Sequence, residues 1–143
     1  MPHKIRMDGS SWIFLAVLTL LLPVNWVLSA VIAAVVHELC HIAALKTLDI
    51  PIFGIRIGAG GAILDTGTMT CPQELLCALA GPAGSLLLFL LIHVCPRIAL
   101  CGLMQGLYNL LPIFPLDGGR AIKCGIRMLM GKRPCKRKKV GVQ

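Results

Sequence analysis

The chain has 143 residues, of which 57% are hydrophobic and only 14% charged, with a mean hydropathy of +0.83. Soluble domains carry roughly 25% charged residues, so this composition excludes an ordinary water-soluble globule and implies a single-domain integral membrane protein. The formal net charge is +8. The basic run of residues 132–143 reads as a cytoplasmic anchor against anionic lipid, with nucleic-acid binding as the weaker alternative.

The first apolar stretch, Trp12 to Val36, is interrupted by Pro23-Val24-Asn25, a turn signal. It therefore predicts two helices, about 11–22 and about 25–48, the first short for a bilayer that needs roughly 20 residues. Two helices return the chain to its starting side. Lys4, Arg6, Lys46, Arg56 and the tail then share one face, as the positive-inside tendency prefers, with both termini cytoplasmic. No small-residue cleavage site precedes the motif described next, so the N-terminus does not read as a signal peptide.

His37-Glu38-Leu39-Cys40-His41 lies in the second helix. Histidines four apart stand on one helix face, where both imidazoles reach one metal. The glutamate beside them can take a proton from water, the zinc-hydrolase pattern. Ionisable residues in so apolar a segment point to function.

A β-hairpin is expected at 52–64, with Gly58 to Gly61 as its turn. The glycines fit no nucleotide fingerprint. A third span follows at about 73–94, carrying Ala80-Gly81-Pro82-Ala83-Gly84-Ser85, whose small residues permit close helix approach. The fourth begins at about 98 and runs to Leu111, or to 116 with the irregular segment after it. There Asn109-Leu110-Leu111-Pro112-Ile113-Phe114-Pro115-Leu116-Asp117-Gly118-Gly119-Arg120 cannot continue a regular helix. Irregular backbone at membrane depth lines a site or a water-filled cavity. A short amphipathic helix, about 119–131, completes a domain of residues 1–131. The fold class is thus an all-α polytopic membrane protein of about four spans with one small hairpin. The seven cysteines form no C-x-x-C pair and read as reduced and structural.

Hydrolytic zinc needs three protein ligands. His37 and His41 give two. His3 is near the terminus, His93 is on the far side, and Asp8, Asp49 and Asp65 lie in surface segments. Asp117, in the broken stretch on the correct side, is the chosen third ligand, with Glu74 the runner-up. Taken alone, Asp117-Gly118 is equally a turn pair, and Asn109 equally an interhelical hydrogen-bonding residue.

The H-E-x-x-H, the A-G-P segment and N-x-x-P-x-x-P-L-D-G-G, in that order, resemble the site-2 protease family of intramembrane zinc metalloproteases. The resemblance spans about Trp12 to Arg120 and is nearest the bacterial sporulation branch that processes pro-sigma-K. It implies one Zn2+ per chain held by His37, His41 and Asp117, with Glu38 as catalytic base. It also implies that Asn109 positions the substrate, and that residues 52–64 offer a sheet edge to an unwound substrate strand. The implied setting is a bacterial inner membrane, with a membrane-bound protein as substrate and a regulatory membrane partner as a further expectation. Oligomeric state is not legible. Cys40 stands where the family often has glycine, and Ser85 where many members have asparagine or another polar residue. The nucleotide-sensing domain of the sporulation enzymes and a PDZ-like insertion have no counterpart in these residues. The rival readings are a non-catalytic helix-binding chaperone or pseudoprotease and a metal transporter. Ligands clustered on one side disfavour the transporter.

Overall fold

A computed structural model describes residues 4–7, 9–58, 61–113 and 116–130. The basic tail, His3, Asp8, Cys135, and Phe114 and Pro115 of the proline–glycine stretch lie outside the described residues. In chain order the elements are β1 (Lys4–Met7), α1 (Gly9–Leu21), α2 (Val24–Thr47), β2 (Ile52–Gly58), β3 (Gly61–Thr66), α3 (Cys71–Leu87), a 3-10 turn (Leu88–Leu91), α4 (Pro96–Asn109) and α5 (Asp117–Leu129).

Pro23 ends the first helix and caps the second with φ −57° and ψ 140°, an extended conformation that a helix interior does not hold. α2 closes in a Schellman motif. Ile50 N–H donates to Leu45 C=O at 2.9 Å and Asp49 N–H to Lys46 C=O at 3.2 Å. Asp49 adopts the left-handed φ of 53° that this cap requires, a position usually taken by glycine and tolerated by Asp. The motif turns Ile50 back onto Leu45, and both join Met69 and Cys77 in a small core beneath the sheet.

The expected hairpin is present, with β2 antiparallel to β3, but it gains a strand. β1 pairs in parallel with β2, giving the order β1-β2-β3. β2 is therefore central, and the expected hairpin is part of a three-stranded sheet. The pairing also explains why α1 and α2 return the chain to the level where it started: β1 enters the pair and β2 leaves it, side by side. The alternating apolar signal in β1 is only four residues long, too short to separate from the charged N-terminal flank.

α2 packs on α3 and α4, α3 also on α4 and α5, and α1 sits at the edge against α2 and β2. The buried face of α2 is one narrow stripe, Val27, Ala33, His37, His41 and Leu45 with Ser29 beside them. Its outward face carries Leu28, Val31, Ile32, Val35 and Leu39, with Leu39 55% exposed. Polar groups inside and leucine outside is the reverse of a soluble helix and suits a lipid environment.

Two helical segments, Val24–Thr47 and Cys71–Leu91, are long and apolar enough to cross a membrane. The other two expected spans fall on shorter helices, α1 and α4. α1 has 13 residues and α4 has 14. At 1.5 Å per residue each reaches about 20 Å, short of the roughly 30 Å hydrocarbon core. α4 also stops at Asn109, two residues before the expected helix end at Leu111. Asp117 is the first residue of α5, so the break after Asn109 separates two helices rather than trailing from one.

Candidate metal centre

α2 supplies two imidazoles to the centre of the helix group because residues 37 and 41 share its buried stripe. α3 must come very close to admit them. A β-carbon at Gly81 would overlap the His41 ring and lie 2.7 Å from His37 Nε2. One turn further along, a β-carbon at Gly84 would overlap Cys40 Sγ. The small residues of this segment thus make room for the histidines and for the thiol that α2 carries. α4 seats on α3 in the same way: a β-carbon at Gly102 would stand 2.8 Å from Ser85 C=O, and one at Gly106 3.2 Å from Pro82 C=O. The spacing of these two glycines is a G-x-x-x-G signal that the sequence reading passed over.

α5 brings the third group. Gly118 permits the first turn of α5 to rest on the backbone of Leu110 and Leu111, where any side chain would collide. This close contact holds Asp117 against the histidines. Asp117 Oδ2 is 3.1 Å from His37 Nε2 and 3.1 Å from His41 Nε2, and the two Nε2 atoms are 3.2 Å apart. All three side chains are buried.

The outer ring nitrogens set the tautomers. His41 Nδ1 is 2.8 Å from the Cys77 carbonyl oxygen. That oxygen only accepts, so Nδ1 carries the proton and the His41 Nε2 lone pair points inward. His37 Nδ1 is 2.8 Å from Ser85 Oγ, and with Nδ1–H donating to that hydroxyl His37 Nε2 is likewise a lone-pair atom. Such outer partners are the usual means of orienting metal-binding histidines. On the far side of Asp117, Arg120 Nη1 lies 3.3 Å from Oδ1 and favours the charged carboxylate.

Two lone-pair nitrogens and a carboxylate oxygen thus converge in a buried space. Without a cation these acceptors face one another at a cost. A tetrahedral ion with bonds of about 2.0–2.1 Å has ligand atoms about 3.3 Å apart, close to the triangle observed. His37, His41 and Asp117 form a group that could hold a metal ion, and its nitrogen and oxygen donors fit zinc.

The other expected site residues fall as follows. Glu38 follows His37 on α2 and is half-buried, with its Oε2 atom shielded from solvent. Asn109, the last residue of α4, has Nδ2 3.4 Å from His37 Nε2, so it borders the ligand triangle. Glu74 does not join the three ligand atoms. It lies in the first turn of α3, with Oε1 3.8 Å from Arg120 Nε. His93 is exposed and is not part of the group. Ser85, the Cys77 carbonyl and Arg120 received no role from the sequence. Ser85 was discoverable by its position four residues from Gly81, on the same face of α3. The carbonyl leaves no sequence signal.

No protein-family model matches the chain. It is 30% identical over 141 residues to a Synechocystis sp. protein named "Putative zinc metalloprotease". That alignment takes in 87% of this chain and 35% of the relative, so the chain spans about a third of the length of the curated relative it matches. The fold matches the site-2 protease of Methanocaldococcus jannaschii with a TM-score of 0.75, covering 90% of this chain and 69% of that one at 24% identity. The chain therefore has a site-2 protease-like fold and sequence similarity to a protein named as a zinc metalloprotease.

Proposed function

We propose that this chain is a membrane-embedded zinc endopeptidase of the site-2 protease type, hydrolysing peptide bonds in or near the transmembrane segments of membrane-bound proteins. The observation that carries the reading is the buried triangle of His37 Nε2, His41 Nε2 and Asp117 Oδ2, with both imidazoles held by outer hydrogen bonds. The exposed leucine and valine surface of the helix that bears it supports a lipid setting.

His37, His41 and Asp117 would hold the zinc, one per chain. When bound, zinc supplies a Lewis acid that brings water toward ionisation near neutral pH and polarises a peptide carbonyl. Glu38 would accept the proton of the attacking water and deliver it to the departing amine. Ser85 and the Cys77 carbonyl keep the two imidazoles in the tautomer the ligands need. Asn109 borders the triangle and would hold the substrate chain beside it through its amide.

A transmembrane substrate must unwind before its peptide bond is accessible. Because β2 is the central strand, the edge available on the hairpin side is β3, Gly61–Thr66. An unwound segment would add there as a further strand. The proposed setting is a bacterial inner membrane with both termini on the cytoplasmic side, the lipid bilayer as surroundings, no nucleic-acid partner, and control by a further membrane protein. Processing of a membrane-bound pro-sigma factor in sporulation is the narrower form of the proposal, carried by the motif resemblance alone.

The test is zinc content in detergent-purified full chain, wild type against Asp117→Ala, with circular dichroism to verify folding. The expected result is about one zinc per chain in the wild type, lost or much weakened in the variant. Wild-type protein that stays zinc-free after reconstitution would overturn the enzyme and leave a non-catalytic helix-binding protein.

A further inference from the structure

Asp117 has two carboxylate oxygens, and they face different ways. Oδ2 points at the histidine pair. Oδ1 accepts a hydrogen bond from Arg120 Nη1 at 3.3 Å. Arg120 stands one turn further along α5, and its Nε lies 3.8 Å from Glu74 Oε1, an ion pair rather than a hydrogen bond. Glu74 belongs to the first turn of α3. That turn is itself fixed by a capping box, in which Gln73 Oε1 accepts the Thr70 backbone N–H at 3.0 Å. A chain of charges therefore runs from the start of α3 through Arg120 to the back of Asp117. Its side chains are largely shielded, at 15%, 22% and 10% exposure for Glu74, Arg120 and Asp117.

We infer that Arg120, braced by Glu74, is a positioning residue that turns Asp117 so that a single carboxylate oxygen serves as metal ligand. This rests on the zinc reading of His37, His41 and Asp117. The argument is one of geometry. A carboxylate at the first position of a helix is free to rotate about its side-chain bonds, and it can present either oxygen, or both, to a cation. Engaging Oδ1 with Arg120 leaves Oδ2 alone toward the histidines. Three single-atom protein ligands would leave room for a water on the metal, which hydrolytic zinc requires and structural zinc lacks. Arginine suits the task because its planar guanidinium offers donors in two fixed directions, one edge to each carboxylate. A lysine ammonium lacks that fork. Glu74 contributes by holding the far edge of the guanidinium from a different helix, so the orientation of Asp117 follows the docking of α5 on α3.

The test uses the full chain in detergent and the metals alone as probes. Zinc affinity is measured by chelator competition, and cobalt(II) loading reports ligand geometry through its visible absorption. Asp117→Ala serves as the control that removes a ligand outright. Arg120→Ala is expected to weaken zinc about 10–100-fold, the usual range for outer partners of metal ligands, and to change the cobalt spectrum. Arg120→Lys is expected to recover part of the affinity without restoring the wild-type spectrum. Glu74→Gln is expected to weaken zinc less than Arg120→Ala does, and to add nothing in the Arg120→Ala background, since it acts through Arg120. If Arg120→Ala does not fold, Arg120→Lys and Glu74→Gln read the same coupling in folded protein. Wild-type affinity and spectrum in the Arg120 variants, beside loss in Asp117→Ala, would overturn the positioning role and leave the metal site standing. A wild-type chain that binds neither metal would overturn both.

Discussion

Gly81 and His41 are in such close contact that a β-carbon on the glycine would occupy the space of the imidazole's Nε2 edge. The ring cannot move aside at small cost, because its Nδ1–H is held by the Cys77 carbonyl at 2.8 Å. His37, 2.7 Å from the same hypothetical carbon, is held in turn by Ser85. Gly81→Ala is therefore expected to displace both ligands together. Overpacking of this kind costs about 1–3 kcal/mol of stability, and we expect metal affinity to fall by at least about tenfold as the outer hydrogen bonds break. Thermal denaturation with and without zinc checks both. A variant that gains as much stability from zinc as the wild type does would show that the close approach is not needed.

Ser85 is fully buried, and its hydroxyl lies 2.8 Å from His37 Nδ1. Ser85→Ala leaves His37 Nδ1 without that partner in a dry environment, at about 1–3 kcal/mol. It also frees the ring to adopt the other tautomer, which presents a proton rather than a lone pair to the metal. Zinc binding is expected to weaken about 10–100-fold while the helix content of the protein holds. Unchanged affinity by chelator competition would show that Ser85 only fills space.

How much of this was legible beforehand differs by residue. The His37 and His41 pair is a local pattern, because helix geometry alone aligns residues four apart. Asp117 was reachable because so few carboxylates compete with it in the chain. The Arg120–Asp117 contact was hidden by one boundary. With a helix starting at 119, residues 117 and 120 have no fixed relation, whereas a helix starting at 117 makes them neighbours at i,i+3. β1 and the Cys77 carbonyl depend on long-range pairing, which leaves no periodic trace in four residues or in a backbone atom. The lengths of the helices have a physical reason too. Hydropathy registers apolar sequence, but the Asn109 terminus and the Pro23 break shorten two helices below bilayer thickness.

Cys40 and Gly84 form a matched pair across α2 and α3. The thiol takes the space that a side chain on Gly84 would need, with the Cys40 β-carbon itself only 3.0 Å away. Gly84→Ala is expected to destabilise the fold by about 1–3 kcal/mol. Cys40→Gly alone is expected to cost about 1 kcal/mol, the propensity penalty of glycine in a helix. The double variant should recover most of the Gly84→Ala loss, since removing the thiol vacates the space the methyl needs. Strictly additive losses in a double-mutant cycle would contradict the contact.

Glu38 separates holding a metal from using it. The side chain lies beside the ligand pair on α2, half-buried and with Oε2 shielded from solvent, so replacing it with the near-isosteric glutamine preserves shape while removing the ability to take a proton. Glu38→Gln is expected to keep about one zinc per chain, because His37, His41 and Asp117 are the three proposed ligands. Cleavage of a membrane-tethered substrate should fall by at least about a hundredfold, the lower range for loss of a general base. Glu38→Asp keeps the carboxylate but withdraws it by one methylene, and should retain a small residual rate. Cleavage at the wild-type rate in zinc-loaded Glu38→Gln would remove Glu38 from the proton path. Loss of zinc from that variant would instead make Glu38 a part of the metal site, and the catalytic base would have to be sought among other residues near the triangle.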